Sequence, residues 1–321
     1  MNPDVALAIP ALVESGVLPP EPASRLLRLA RGELLSVHAE LRALLYAGVL
    51  LLTAGVGLLV KANLERIGPL AIAAGLGVAA LAALAWVVRV APPFSWQEVP
   101  SPNLAFDYIL LLGILLVAAD LAYAESQFGL LGVHRSWHLL IVAAVAGLAA
   151  FRCDSRIVFS LALSSVAAWR GVSLAAAGAA VRTPSAAWRW NAIVCGLLFA
   201  GFGLALDRLR RKAHFEPVAV HLGCLLALGG MASGIFEDHG IGAAWAAALL
   251  LAGGALAAAA YRSRRFPLFA YGVVAAYAGL TRLLGAAMVP DVAAGCLWFG
   301  ASSVLMLGGL LVAHRRMREE A

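Results

Sequence analysis

The sequence predicts an all-α fold: a polytopic transmembrane helical bundle of about ten spans, preceded by a small two-helix cytoplasmic head. Three observations predict it. Of the 321 residues, 62% are hydrophobic and only 13% charged, whereas a water-facing domain carries about 25% charged residues. Apolar runs recur about every twenty to thirty residues, each long enough to cross or nearly cross a bilayer. The Lys and Arg residues gather in short clusters between those runs, as basic residues do when they flank membrane spans.

The head occupies residues 1–40. Asp4 to Ser15 reads as a short helix closed by Gly16, and Pro19, Pro20 and Pro22 punctuate a turn. A second helix over about residues 23–40 spaces Arg25, Arg28 and Arg31 three apart, with Leu26, Leu27, Leu34, Leu35 and Leu41 as its apolar side. A basic amphipathic helix of this kind lies against anionic headgroups, or docks onto a protein partner. The opening Asn2-Pro3-Asp4 lacks the basic start of a cleavable signal peptide.

The membrane domain takes residues 41–314, with a cytoplasmic tail over 315–321. Its spans are expected near 43–60, 67–88, 104–123, 134–151, 157–181, 190–206, 217–236, 240–261, 266–284 and 290–313. The fifth is interrupted by Arg170-Gly171. Small residues recur within the spans: Ala71, Gly75 and Ala79, Gly230 and Gly234, Gly253-Gly254 and Gly308-Gly309. They permit close helix approach in lipid, either within one bundle or across a homodimer face. Cys153, Cys195, Cys224 and Cys296 are scattered along the chain without Cys-x-x-Cys spacing, which signals neither a disulfide framework nor a zinc site.

Charge supplies the orientation. With the N-terminus inside, 17 of the 24 basic residues fall in cytoplasmic segments and 6 in external ones, with Arg170 inside a span. That asymmetry puts both termini in the cytoplasm of a bacterial inner-membrane protein. The net charge of +6 therefore belongs to the flanks of spans, and a nucleic-acid partner is not expected. The expected surroundings are the lipid bilayer.

The two-helix head is followed by a span ending Gly55-Val56-Gly57-Leu58-Leu59-Val60-Lys61-Ala62-Asn63, then Ile67-Gly68-Pro69 and another apolar run. Over roughly the first 90 residues the chain resembles the bacterial membrane proteins grouped as DUF2157, a family of unknown function. An Asn-Trp pair often follows the first span in that family; here Asn63 is followed by Leu64. The resemblance implies a multi-span inner-membrane protein and supplies no activity, catalytic residue or cofactor. The layout of ten spans with short loops is also similar to the drug/metabolite transporter superfamily. Ser164-Ser165-Val166 in the fifth span and Ser302-Ser303-Val304 in the tenth form a short echo between two inverted halves.

Ionisable side chains inside spans are costly unless paired or hydrated. Asp120 and Arg170 are placed at similar depth in the outer half, and near or beyond them lie Glu125, His134, His138, Glu237, Asp238, His239, Arg282 and Asp291. Three readings of this polar layer are open. It is structural, with Asp120 and Arg170 neutralising each other; or it lines a substrate or proton pathway; or His134 and His138, four apart, begin a metal site with Glu125 or Asp120. No Gly-x-Ser-x-Gly, P-loop or His-Glu-x-x-His occurs, so no enzyme and no cofactor is indicated. The leading expectation is a transporter-like protein moving a small molecule or lipid-derived compound. Asp120, Arg170 and Arg282, with Glu125, border its outer cavity, and Asp107 and His221 form an inner gate. The rival is a non-catalytic membrane subunit or scaffold that binds a partner through its head.

Overall fold

The structure is a computed structural model that describes residues 38–62, 68–131, 136–171, 186–237, 241–288 and 292–319, with isolated positions before residue 38. The two head helices lie outside the described residues, as do His134, Asp238, His239 and Asp291. Ten α-helices are described: α1 His38–Ala62, α2 Pro69–Val90, α3 Leu104–Phe128, α4 Trp137–Cys153, α5 Arg156–Trp169, α6 Ala186–Arg208, α7 Glu216–Gly234, α8 Ile241–Arg262, α9 Phe266–Met288 and α10 Val292–Glu319. Among the described residues there is no strand. Seven helices are long and apolar enough to cross a membrane, and α1, α4 and α5 carry shorter apolar stretches.

The chain divides into two compact units, Met1–Asn63 and Leu64–Ala321. The first contains α1, an apolar rod whose Leu44, Leu51, Leu58 and Leu59 are exposed. The second contains α2 to α10. Its helices start and stop for local reasons. Gly68 turns at φ 78° ahead of Pro69, which opens α2 without needing a hydrogen-bond partner. Asn103 caps α3 by accepting from the Phe106 amide at 2.8 Å, and Gly129 ends that helix in the left-handed region.

Sequential antiparallel hairpins organise the second unit. α2 packs on α3, α4 on α5, α6 on α7 and α8 on α9, while α10 rests on α9. Two of these hairpins use the same device. A Cβ built on Gly223 would come 2.5 Å from the Gly196 carbonyl oxygen, and one on Gly272 would come 2.6 Å from that of Gly253. In both cases a Gly-x-x-x-Ala stripe faces another, Gly196/Ala200 against Gly223/Ala227 and Gly253/Ala257 against Gly272/Ala276. Backbone meets backbone, the close approach that small residues allow in lipid. By contrast Gly75, Gly254, Gly308 and Gly309 meet nothing within 4 Å, so those expected packing sites are open.

The fifth expected span is interrupted at Arg170-Gly171, as its sequence indicates. α5 stops at Trp169, and Gly171, at φ 78°, turns the chain there. Arg170 is thus a helix-end residue, and residues 172–185 lie outside the described residues.

Candidate functional site

All the turns that close the four hairpins lie at one end of the unit, and a belt of ion pairs ties them together. Glu98, between α2 and α3, accepts from Arg156 at the start of α5 at 2.9 Å. Asp154, between α4 and α5, holds the ammonium of Lys212, between α6 and α7, at 2.6 Å. Glu216, at the start of α7, accepts from Arg265, between α8 and α9. Each pair joins one hairpin to the next.

The middle link is the most enclosed. The Lys212 side chain is 0% exposed and Asp154 only 4%. Both residues take positive φ, 57° for Asp154 and 51° for Lys212, and these tight corners aim the two side chains at each other. The Lys212 amide donates to the Trp96 carbonyl at 2.7 Å and its ammonium lies 4.8 Å from the Phe94 ring centre. Arg211 covers Trp96, and Arg152 donates to the Pro92 carbonyl at 2.6 Å. The 91–103 loop is thereby strapped under the hairpin ends. His214 brings Nε2 to 3.1 Å from Asp154, and Phe215 beside it stacks on Phe159 at 4.5 Å. A buried pair of this kind stabilises only while both members are present.

Asp107 and His221, the residues expected at an inner gate, each engage local partners. Asp107 accepts from Ser101 in its own loop at 2.9 Å. His221 donates to the Pro217 carbonyl one turn back and packs edge-on against Tyr271. The ion pairs between hairpins at this end are formed by Asp154 with Lys212 and Glu216 with Arg265.

At the opposite end the polar layer is rearranged relative to the sequence expectation. Arg170 donates to the Asn191 side chain at 2.9 Å and receives the Asn191 amide on its own carbonyl at 2.7 Å. Neither a hydrogen bond nor an ion pair joins Arg170 to Asp120. The reason is placement: Arg170 sits at the end of α5 and reaches α6, whereas Asp120 faces α2, where its Oδ2 would lie 3.2 Å from a Cβ added at Gly77. Among the described residues, buried Asp120 Oδ1, Tyr123 Oη and Glu125 Oε1 have no hydrogen-bond partner, while Glu125 Oε2 accepts from the Leu131 amide at 2.9 Å. His138 is the second residue of α4. Among the described residues no three His, Cys, Asp or Glu side chains group as metal ligands.

The residue that organises this end is Arg189, near the start of α6. It is 2% exposed, donates to Glu237 at 2.6 Å and to Ser233, and lies over the Trp245 ring. Next to this node Arg282 donates from Nε to the Ile235 carbonyl at 2.9 Å. Beside it a cavity of about 1100 Å³ lies between the end of α7, α9 and α10. Among the described lining residues Arg282 is the one side chain that is charged at neutral pH. Tyr277, Thr281 and Ser303 add hydroxyls, and Val274, Trp298, Phe299 and Met306 supply apolar wall. Phe236, Val274, Trp298 and Phe299 are exposed, so the cavity is a groove open at the side.

Helices of this length and apolarity, with apolar side chains outward, define a polytopic α-helical membrane protein. The profile of a family described as a predicted membrane protein (DUF2157) matches residues 10–159, and over that region the chain is DUF2157-like. The match extends the resemblance carried by the head and first spans through α4 into α5. No curated protein and no solved structure matches the chain.

Proposed function

We propose that this protein is transporter-like and takes a small amphipathic or lipid-derived compound from the bilayer into the groove between α7, α9 and α10. One observation carries the reading: the groove holds about 1100 Å³, is open at the side, and joins an apolar wall to a polar end at Arg282. Ligand sites are commonly clefts of about 300–1,000 Å³ with a few placed polar groups. The belt at the opposite end supports the same reading, because a carrier open at one end needs closure at the other. The similarity of layout to the drug/metabolite transporter superfamily agrees with it. The excess of basic residues on the belt side supports a bacterial inner-membrane location with both termini and the belt in the cytoplasm.

The test is a proteoliposome assay with two fluorescent probes, a labelled phospholipid and a labelled fatty acid. Transfer of either probe between leaflets is followed by its reduction with membrane-impermeant dithionite. Faster transfer than in protein-free vesicles, slowed by Val274→Trp, which fills the groove, is the expected result. Equal rates with and without protein would sink the carrier reading and leave the scaffold.

A further inference from the structure

We infer that the α9–α10 groove selects an anionic amphiphile, with its carboxylate or phosphate at Arg282 and its acyl chain along the apolar seam. This rests on the proposed function and names its substrate class. Arg282 lies sixteen residues into α9, about 24 Å along the helix, near one boundary of a hydrocarbon layer about 30 Å thick. A headgroup belongs at that boundary. Tyr277 lies about 7.5 Å deeper on the same helix, and the seam beyond it is bordered by Val274, Phe299 and Met306. Polarity thus falls along the groove in the order a single amphiphile presents it, head first and chain below.

The sign of the head follows from charge. Arg282 is the one lining side chain charged at neutral pH among the described residues, and no carboxylate lines the groove among them. One of its five guanidinium donors is committed to the Ile235 carbonyl, which fixes the plane of the group. The carboxylate of the neighbouring turn, Glu237, is engaged by buried Arg189. A planar guanidinium at a lipid-exposed boundary favours charge-assisted pairing with a carboxylate or phosphate over a neutral hydroxyl. The seam also has a mechanical side. Tyr277 Oη contacts Ser302 Oγ at 2.8 Å and Ser303 Oγ at 2.9 Å, and Phe266 meets His314 near the other end. α10 is the least covered of the long helices, so the chain-binding wall is its most loosely held element.

The experiment uses the full chain in phosphatidylcholine nanodiscs and three photoreactive probes with one diazirine acyl chain. One ends in a carboxylate, one in a phosphate and one in an alcohol. Labelled peptides are mapped by mass spectrometry. We expect the carboxylate or the phosphate probe to label α9 and α10 at least about tenfold more than the alcohol, a difference near 1.4 kcal/mol. Whichever acid labels more identifies the head. Arg282→Gln should bring the acids down to the alcohol level, Arg282→Lys should retain part of the preference, and Val274→Trp should reduce all three. Each variant is compared at matched elution and melting temperature, and Arg282→Lys keeps the result readable if the Gln variant misfolds. Equal labelling by alcohol and acids overturns the anion inference but leaves the groove in place. Absence of labelling on α9 and α10 by any probe overturns both.

Discussion

The ammonium of Lys212 lies 2.6 Å from the carboxylate of Asp154, across a junction that joins two hairpins 58 residues apart in sequence. With Glu98–Arg156 and Glu216–Arg265 it makes a belt that is closed at one end of the bundle, while the groove between α7, α9 and α10 opens at the side. The links are unequal. Glu98 and Arg156 are each 53% exposed, and such a pair contributes about 0–1 kcal/mol at most. Lys212 and Asp154 are shielded from water, so their loss matters more.

The first prediction follows from that shielding. Asp154→Asn or Lys212→Met alone should destabilise the protein by about 3–5 kcal/mol, because each strands the other charge. The double variant should lose less than the sum, with a coupling of about 1–3 kcal/mol. Thermal unfolding of the three variants in detergent checks this. Additive losses would show that the pair is not a unit.

A second prediction concerns Asp120 and Arg170, which turn to different neighbours. Asp120→Asn and Arg170→Gln should add within about 0.3–0.5 kcal/mol, as separate sites do. Arg170→Gln and Asn191→Ala should not add, since the two side chains exchange hydrogen bonds at 2.9 and 2.7 Å. Coupling between Asp120 and Arg170 would contradict the observed geometry.

The contrast between these pairs shows what the sequence makes legible. The ten apolar runs correspond to ten described helices, and seven of these have the length and apolarity that a bilayer imposes and a one-dimensional reading can measure. Capping at Asn103, Gly129 and Pro69 is local and equally readable. Pairing is not. Lys212 and Arg265 were read as topology charges, since nothing in sequence links them to Asp154 or Glu216, 58 and 49 residues away. The apolar run continues past Gly171, and composition does not report the positive φ at which the chain turns there, nor that Arg170 reaches Asn191. Arg189 carried a detectable signal: with Glu237 it was one of the charges bordering adjacent spans. Only the fold decides which such residues meet.

The crossings at glycine make a third prediction. Gly223→Ala places a Cβ 2.5 Å from the Gly196 carbonyl oxygen and 2.6 Å from the Ala200 nitrogen, so α6 and α7 must separate. We predict a loss of about 1–3 kcal/mol, the usual cost of overpacking. Gly308→Ala, at a position with nothing within 4 Å, should leave the melting temperature nearly unchanged. Equal effects at the two sites would refute the backbone-to-backbone packing.

The last prediction fixes the side of the membrane on which the belt lies. Helix packing alone does not decide it, since the same bundle satisfies its contacts in either orientation. Charge does: the belt loops hold Arg156, Lys212 and Arg265, with Arg208, Arg210 and Arg211 beside them, and basic loops are retained on the cytoplasmic side. Alkaline phosphatase folds to an active enzyme only outside the cytoplasm. Inserted at Arg210, an exposed corner with φ 52°, it should be silent. Inserted directly after Glu237, at the opposite end, it should be active. The reverse pattern would place the belt outside and turn the Arg282 end of the groove toward the cytoplasm. An anionic amphiphile would then enter from the inner leaflet, and the direction of the proposed transfer would have to be reversed while the groove chemistry stayed the same.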